Sequence, residues 1–303
     1  MSSAKPEPNT DALLLSPLHQ QVRQRSQAAL ESGALRPIET NYTYLEQGGM
    51  RFLLRILANV ERKVQATQAH RQKDPDFNPF LPYDPELWVC DLSTTHVCLL
   101  NKFNVVADHI LIVTRVFEAQ THWLTAADFV AWASGLNQMD GLGFYNGGTA
   151  AGASQPHKHL QIVPFPMLPD GKPLPIEAMI AAIPNNAAIF NPIACLPFHH
   201  ALVQLPPAPI NAEQLYRAYQ QALVAVDLVT DSDPLQGCQT GAYNLLVTRR
   251  WLLLVPRERD DWQGISVNSL GFAGTLFVKN AQQQDRLAAI GPMALLTQVA
   301  VAR

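Results

Sequence analysis

Residues 146–161 read NGGTAAGASQPHKHLQ, and this stretch is the most informative part of the sequence. Its last part alternates as a β-strand does, and residues two apart in a strand point to the same face. We therefore expect His157, His159 and Gln161 to project together from one strand, which we place at a sheet edge. The glycines that precede them permit a tight turn and a close approach of the backbone to a ligand.

This arrangement is suited to chemistry at phosphorus. An imidazole on a rigid strand can act as a nucleophile, and N–H groups opposite it can stabilise the charge on phosphoryl oxygens. Asn146 stands at the start of the glycine turn, and Ser154 with the amides around it would form an anion-binding nest. The stretch therefore predicts a phosphate-binding site with a histidine nucleophile.

Three other interpretations explain the stretch less well. A metal pair formed by the two histidines would need the glutamine, a poor ligand, as its third ligand, and no cysteine lies near. The segment from Gly147 to Gly152 has the glycine spacing of a P-loop, but Ala153 and Ser154 stand where lysine and serine or threonine belong. A pair of purely structural histidines is disfavoured by the many other polar and glycine residues beside them.

Composition narrows the class of protein. The chain has 303 residues, of which 48% are hydrophobic, so it can bury a large core as one domain or two lobes. Lys plus Arg number 22 against 25 Asp plus Glu, whereas a general nucleic-acid binder needs a basic surface. No run approaches the ~18 apolar residues of a membrane span. We expect a cytoplasmic protein that binds neither nucleic acid nor membrane.

The rest of the sequence mixes strand and helix patterns. Short apolar runs such as RFLLRIL, HVCLL, HILIVT, YNLLVT and WLLLVP are rich in branched residues and indicate strands. Ser16 before Pro17 predicts a helix that ends at Gly33, and Thr125 with Asp128 predicts a capping box. This order predicts an α+β fold with a mostly antiparallel sheet flanked by helices.

The motif resembles the active-site segment of the histidine triad superfamily. In that pattern an Asn lies eleven residues before the first His and a Ser three before it, as here. The ending His-x-His-x-Gln is found in galactose-1-phosphate uridylyltransferases and in diadenosine tetraphosphate (Ap4A) phosphorylases, also called ATP adenylyltransferases. Lys158 stands where the former carry proline, and the four cysteines show no CxxC spacing, so the resemblance favours the phosphorylases.

The resemblance covers roughly residues 40–300. FNPFLPYDPELWV and LLNKFNVVADHILIVTRVFEAQ resemble the amino-terminal lobe of the phosphorylases, and YNLLVTRRWLLLVPR and NSLGFAGTLFVK resemble their carboxy-terminal lobe. It implies a histidine-triad-like fold with two lobes around one nucleotide cleft. The expected parts are an N-terminal tail and helix over 1–40, a catalytic lobe over 41–170, and a C-terminal lobe over 171–303 that completes the cleft.

The activity that the resemblance implies is the reversible phosphorolysis of Ap4A to ATP and ADP. His159 would become adenylylated, His157 would orient the neighbouring strand, and Gln161 would donate to a phosphoryl oxygen. Sulfate in place of phosphate would give an additional ADP sulfurylase activity. The alternatives are hydrolysis of dinucleoside polyphosphates, nucleotide transfer to a sugar phosphate, and a non-catalytic nucleotide sensor.

Substrate contacts are implied in both halves of the chain. The residues that match the family's positions are Lys63, Asn101, Lys102, Asn146, Gly152, Ala153, Ser154, Gln155, Gln161, Asn268, Ser269, Leu270, Thr275 and Lys279. No cofactor and no metal site of the protein are expected, because no clustered carboxylates lie near the motif. Mg²⁺ or Mn²⁺ would arrive with the substrate, as in many phosphoryl transfers.

Overall fold

The computed structural model describes residues 16–57, 77–184 and 187–303. Its strands are β1 (Thr40–Gln47), β2 (Met50–Leu57), β3 (Trp88–Asp91), β4 (His96–Leu100), β5 (Ile110–Thr114), β6 (Gly141–Gly147), β7 (His159–Pro164), β8 (Ala201–Gln204), β9 (Ala242–Val247), β10 (Trp251–Arg257), β11 (Asp261–Trp262), β12 (Ile265–Ser266) and β13 (Thr275–Val278). Its helices are α1 (Pro17–Ser32), α2 (Ala126–Gln138), α3 (Glu177–Ala181), α4 (Ala212–Ala225), α5 (Ser269–Phe272), α6 (Ala281–Ile290) and α7 (Pro292–Val299), with 3-10 turns at Pro85–Leu87 and Thr149–Ala151.

An eight-stranded sheet carries the predicted site. Its strand order is β3-β4-β5-β7-β6-β9-β10-β8, and every neighbouring pair is antiparallel. A smaller sheet joins β1, β2 and β13, and β13 runs parallel to β2. The predicted α+β fold with a mostly antiparallel sheet flanked by helices is confirmed.

The motif strand β7 lies in the middle of the large sheet. It pairs with β5 on one side and with β6 on the other, so the expected sheet-edge position is wrong. The alternation of side chains along β7 depends only on its own backbone, whereas its place in the sheet depends on pairing with both the preceding strand β6 and the more distant β5.

Both faces of the large sheet are covered by apolar side chains. On β9 the neighbouring Leu245 and Leu246 point into two different hydrophobic clusters. The first cluster includes Phe129 of α2 and Leu215 of α4, and the second includes Leu296 of α7. A strand that is buried on both faces has no need of polar alternation, which explains the continuous apolar runs of the sequence.

The helix ends follow the predicted chemistry. The hydroxyl oxygen of Ser16 accepts the N–H of His19, and Gly33 closes α1 with a φ of 78°. Thr125 and Asp128 form the capping box of α2, with each side chain accepting the backbone N–H of the other residue. The predicted helix ends are thus confirmed. They can be predicted from sequence because capping depends on residues three or four positions apart.

The large sheet takes strands from both predicted lobes. β3 to β7 come from residues 41–170 and β8 to β10 from residues 171–303, and β6 pairs directly with β9. The site elements of the two halves are therefore neighbours in one sheet, while the lobe boundaries stay a prediction. Within the described ranges, no helix has the length and apolar character needed to cross a membrane.

Candidate active site

The side chains of the motif alternate as predicted from His157 into β7, which begins at His159. The rings of His157 and His159 both pack against Phe80, with centroid distances of 5.7 and 5.4 Å. Lys158 between them is fully buried, and its ammonium donates to carboxylate oxygens of Glu118 at 2.6 Å and Asp128 at 3.4 Å. The two imidazoles therefore lie together against Phe80 and the cation is buried apart from them, but His157 precedes β7 in an isolated bridge to Ala119, so the expectation that one strand carries both histidines is wrong.

His159 is held in one tautomer. Its Nδ1 lies 2.8 Å from the backbone oxygen of His157. Because a carbonyl oxygen only accepts hydrogen bonds, Nδ1 carries the proton and Nε2 keeps the lone pair. Among the residues that the structure describes, no hydrogen-bond partner occupies Nε2 of His159. Nε2 is therefore the nitrogen available for nucleophilic attack.

The surroundings of His159 keep this imidazole neutral. The residue is only 5% exposed, and burial lowers its pKa to about 4 although the hydrogen bond to the His157 carbonyl opposes the shift. A neutral imidazole is a competent nucleophile, whereas an imidazolium has no free lone pair. The site therefore holds the imidazole of His159 in its neutral form at neutral pH.

His157 is locked by contacts on both ring nitrogens. Its Nε2 lies 2.9 Å from the backbone oxygen of Thr114 and must donate to it, and its Nδ1 accepts from Nδ2 of Asn78 at 3.0 Å. Burial lowers the pKa of His157 as well. The locked residue presents the carbonyl that orients His159. Sequence reasoning missed both partners of His157.

A chain of three side chains orients Gln161. The Nδ2 of Asn101 lies 3.0 Å from Nδ1 of His109, and Nε2 of His109 lies 3.0 Å from Oε1 of Gln161. Because Nδ2 of Asn101 only donates, Nδ1 of His109 accepts, and Nε2–H of His109 donates to the carboxamide oxygen of Gln161. The NH₂ group of Gln161 is then left as the donor for a ligand. Sequence reasoning missed His109, whose position just before an apolar strand was a usable signal.

The glycine turn follows β6 and packs against the start of α5. Gly148 and Gly152 have φ values of 90° and 87°, which favour glycine, and the N–H of Ala153 donates to the Gly148 oxygen at 3.2 Å. A Cβ atom on Gly152 would lie 2.8 Å from the oxygen of Val267 and 3.0 Å from the Cβ of Asn268. The turn therefore requires glycine in order to approach the second half of the chain.

A buried polar network joins this turn to the second half. The Oδ1 of Asn146 accepts from Nδ2 of Asn244 at 2.9 Å, from the Ser269 N–H at 3.0 Å and from the Ser269 hydroxyl at 2.8 Å. Arg257 donates to Oδ1 of Asn244 and, at 3.0 Å, to the oxygen of Val267, and burial lowers its pKa to about 9. Asn146 and Ser269, expected as substrate contacts, thus contact each other.

The other expected substrate contacts lie in varied environments. Ser154 is exposed, and Gln155 is half-buried. Leu270 is in the core, and Thr275 is fully buried, with no hydrogen bond to Oγ1 within the part of the chain that is described.

Three expected contacts are lysines. Lys102 is half-exposed in an ion pair of 3.7 Å, and Lys279 is exposed. Lys63 lies outside the described residues. The roles of all these residues in binding stay predictions. Among the described residues, no group of three or more His, Cys, Asp or Glu side chains is placed to hold a metal ion.

Two family models together match most of the chain. The Ap4A phosphorylase N-terminal domain matches residues 9–182, and the ATP adenylyltransferase C-terminal domain matches residues 194–302. The chain belongs to the Ap4A phosphorylase family. The predicted family is thereby confirmed, and both matches include elements of the candidate site, with the histidine motif in the first and Asn268 in the second.

Two proteins of Saccharomyces cerevisiae are similar over most of their length. Protein APA1 is 28% identical over 287 residues, which cover 86% of each chain. Diadenosine 5',5'''-P1,P4-tetraphosphate phosphorylase 2 is 28% identical over 303 residues, covering 89% of this chain and 90% of its own. The similarity is therefore not confined to the histidine motif.

Solved structures of the yeast Ap4A phosphorylase Apa2 share the fold. The structure in complex with Ap4A matches with a TM-score of 0.77 at 24% identity, covering 95% of this chain and 98% of that one. The complex with AMP matches with a TM-score of 0.76 at 25% identity, covering 94% and 96%. These matches confirm the fold over nearly the whole chain.

Proposed function

We propose that this member of the Ap4A phosphorylase family is a nucleotidyltransferase that converts Ap4A and phosphate reversibly into ATP and ADP. The observation that carries the proposal is the hydrogen bond from Nδ1–H of His159 to the His157 oxygen, which leaves a neutral nucleophile at Nε2. The names of the family and of its yeast relatives, and the Apa2 structures with Ap4A and AMP, support this substrate class.

In the first step, Nε2 of His159 attacks the α-phosphorus of one adenosine. The Nε2–P bond forms, and the bond from that phosphorus to the bridging oxygen breaks, so that ATP leaves with the bonding electrons. The positive charge that develops on the ring is shared with Nδ1–H, whose proton stays hydrogen-bonded to the His157 oxygen. The product of this step is AMP attached to His159 as a phosphoramidate.

In the second step, an oxygen of inorganic phosphate attacks the same phosphorus. The P–O bond forms, the Nε2–P bond breaks, and ADP is released while the lone pair returns to His159. Because both half-reactions pass through one covalent intermediate, the enzyme replaces one difficult transfer by two easier ones. The same steps in reverse order make Ap4A from ATP and ADP.

Gln161 favours phosphate over water as the acceptor. Its carboxamide can donate to a phosphoryl oxygen, and its own oxygen is held by His109 at 3.0 Å. A carboxamide has no titratable proton, so it cannot act as the general base that would activate water. This property distinguishes the proposed phosphorylase from the hydrolytic alternative.

The proposed activity is tested by incubating the chain with Ap4A, with and without phosphate. Equimolar ATP and ADP that form only with phosphate support the proposal. AMP and ATP formed without phosphate indicate a hydrolase, transfer to a sugar phosphate indicates a uridylyltransferase-like enzyme, and binding without turnover indicates a sensor.

The proposed intermediate is tested with Ap4A labelled in the α-phosphate and with no phosphate present. We expect one acid-labile label per chain, its loss in His159→Ala, and its retention in the control His199→Asn. His199 lies outside the site, with its ring stacked on Phe190. A label that persists in His159→Ala would show that another residue is the nucleophile.

Further properties follow from the proposed reaction. Mg²⁺ or Mn²⁺ arrives with the polyphosphate, so the protein alone should hold no metal after dialysis while activity follows the concentration of the metal–nucleotide complex. Sulfate supports adenylyl transfer from ADP, measurable as phosphate release. The protein acts in the cytoplasm on small nucleotides, without nucleic-acid or membrane partners, and cell fractionation tests this location.

A further inference from the structure

The backbone pairing between β6 and β7 stops at the histidine motif, although both strands extend further. The last pair is Phe144↔Gln161, although both strands continue beyond it. On the same register, Asn146 would lie opposite His159. On its other side β7 stays paired with β5 as far as His159. The sheet therefore opens on one side of the nucleophile only.

The side chain of Gln120 fills this opening. Its Oε1 accepts the backbone N–H of His159 at 2.8 Å, and its Nε2 donates to the backbone oxygen of Asn146 at 2.9 Å. Gln120 is only 3% exposed, and its backbone N–H donates to the backbone oxygen of Pro156 at 2.7 Å. A carboxamide presents a donor and an acceptor in one plane, as a peptide group does. Gln120 therefore joins the two strands as an inserted peptide unit would.

We propose that Gln120 is a positioning residue that sets the separation between His159 and the glycine turn after Asn146. It acts through the backbone of these two residues, not through contact with the substrate. Without Gln120, the buried N–H of His159 and C=O of Asn146 would either bond to each other and narrow the opening, or stay unpaired, which costs free energy. The inference rests on the proposed function, because the group that it positions is the adenylylated histidine.

Gln120→Met tests this role, since methionine has a similar length and makes neither hydrogen bond. We expect kcat to fall ~10²-fold, because a displacement of about 1 Å costs about that factor in an oriented reaction. KM and the affinity for AMP should stay within about threefold, and the single-turnover rate of His159 adenylylation should fall with kcat. A residue that only stabilises the fold would change the melting temperature without this split between kcat and KM.

Gln204→Met is the matched control. In the wild type, Nε2 of Gln204 also donates to a backbone oxygen, that of Ile183 at 3.1 Å. Gln204, however, lies on β8 at the far edge of the sheet. We expect its kcat to equal that of the wild type. Gln120→Asn keeps both polar groups on a side chain one methylene shorter, which reaches one strand only, so its kcat should lie between those of wild type and Gln120→Met.

The outcomes separate the two proposals. A kcat within threefold of wild type in Gln120→Met, a loss confined to KM, or an equal loss in the control overturns the role of Gln120. If Gln120→Met does not fold, the same criteria applied to Gln120→Asn decide. A wild-type chain that forms no ADP from Ap4A and phosphate refutes the proposed function instead.

Discussion

The proposed nucleophile His159 should stay reactive far into the acid range. Burial lowers its pKa to about 4 from the ordinary 6.5. At pH 5, a group with a pKa of 4 is about 90% neutral, whereas one with a pKa of 6.5 is about 3% neutral. The buried site thus predicts a ~30-fold higher fraction of reactive imidazole at pH 5 than an exposed histidine would have.

The assay is the single-turnover adenylylation of His159 by Ap4A without phosphate. Leaving out phosphate removes the ionisation of the acceptor, and sub-saturating Ap4A makes the acid limb report the free enzyme. We expect a second-order rate constant that is level from pH 8 to about pH 5 and falls by half near the pKa of about 4. An acid limb centred near pH 6.5 would refute the argument from burial.

The same shift links stability to pH. Because the folded pKa of His159 is lowered, the unfolded chain binds more protons between about pH 4 and 6.5. This contribution to stability is fully present above pH 6.5, declines as the pH falls, and is lost below about pH 4. It amounts to about 3 kcal/mol. Between pH 7 and pH 5, the free energy of unfolding in urea should fall less in His159→Gln than in the wild type. Equal falls in the two proteins would contradict the pKa shift.

Two further substitutions test neighbouring features of the site. Gln161→His adds a titratable group next to the nucleophile, and we expect phosphate-independent AMP release to rise ~10-fold or more; no rise would contradict the role of Gln161 in favouring phosphate. Lys158→Met removes the ammonium from the buried carboxylate of Asp128, and we expect the free energy of unfolding in urea to fall by about 3 kcal/mol. The control is Lys172→Met at an exposed position, which should change the free energy of unfolding by less than about 0.5 kcal/mol. An equally small change in Lys158→Met would refute the buried pairing of Lys158 with Asp128.

The buried ion pairs behind β7 explain why Lys158 belongs to the fold. Burial alone would raise the pKa of Asp128, yet the hydrogen bond with His96 at 3.0 Å and the charge of Lys158 hold that pKa below its usual value. Asp128 also caps α2. The lysine in the middle of the motif therefore fastens the catalytic strand to a helix, on the side away from the imidazoles.

Local patterns predicted much of the site from the sequence. The alternation of β7, the capping of α1 and α2, and the tight glycine turn with positive φ at residues 148 and 152 depend on neighbours within a few positions. Strand geometry alone was sufficient to place His157 and His159 on one face. The resemblance to the phosphorylases then gave the chemistry that the pattern by itself left open.

The partners of the motif residues were not predictable in this way. Asn78 and His157 are separated by 79 positions, and Asn146 and Ser269 by 123. Nothing in the local sequence marks such a pair, because either residue alone reads as an ordinary polar side chain in a loop or at a strand end. The sequence also wrongly favoured a sheet edge for β7, because its second neighbour, β5, is separated from it in sequence by α2 and β6.

The central position of β7 is what allows the proposed site to exist. The nucleophile lies on β7 and the glycine turn follows β6, so adjacent strands must supply both halves of the site. Regular pairing would hold these backbones about 4.8 Å apart, whereas the inserted carboxamide of Gln120 holds the turn further from His159. The other neighbour, β5, stays paired with β7 as far as His159 and so holds the backbone of that residue, a support that an edge strand would lack. A central strand whose ladder is opened on one side, with Gln120 bridging the gap, meets both requirements at once.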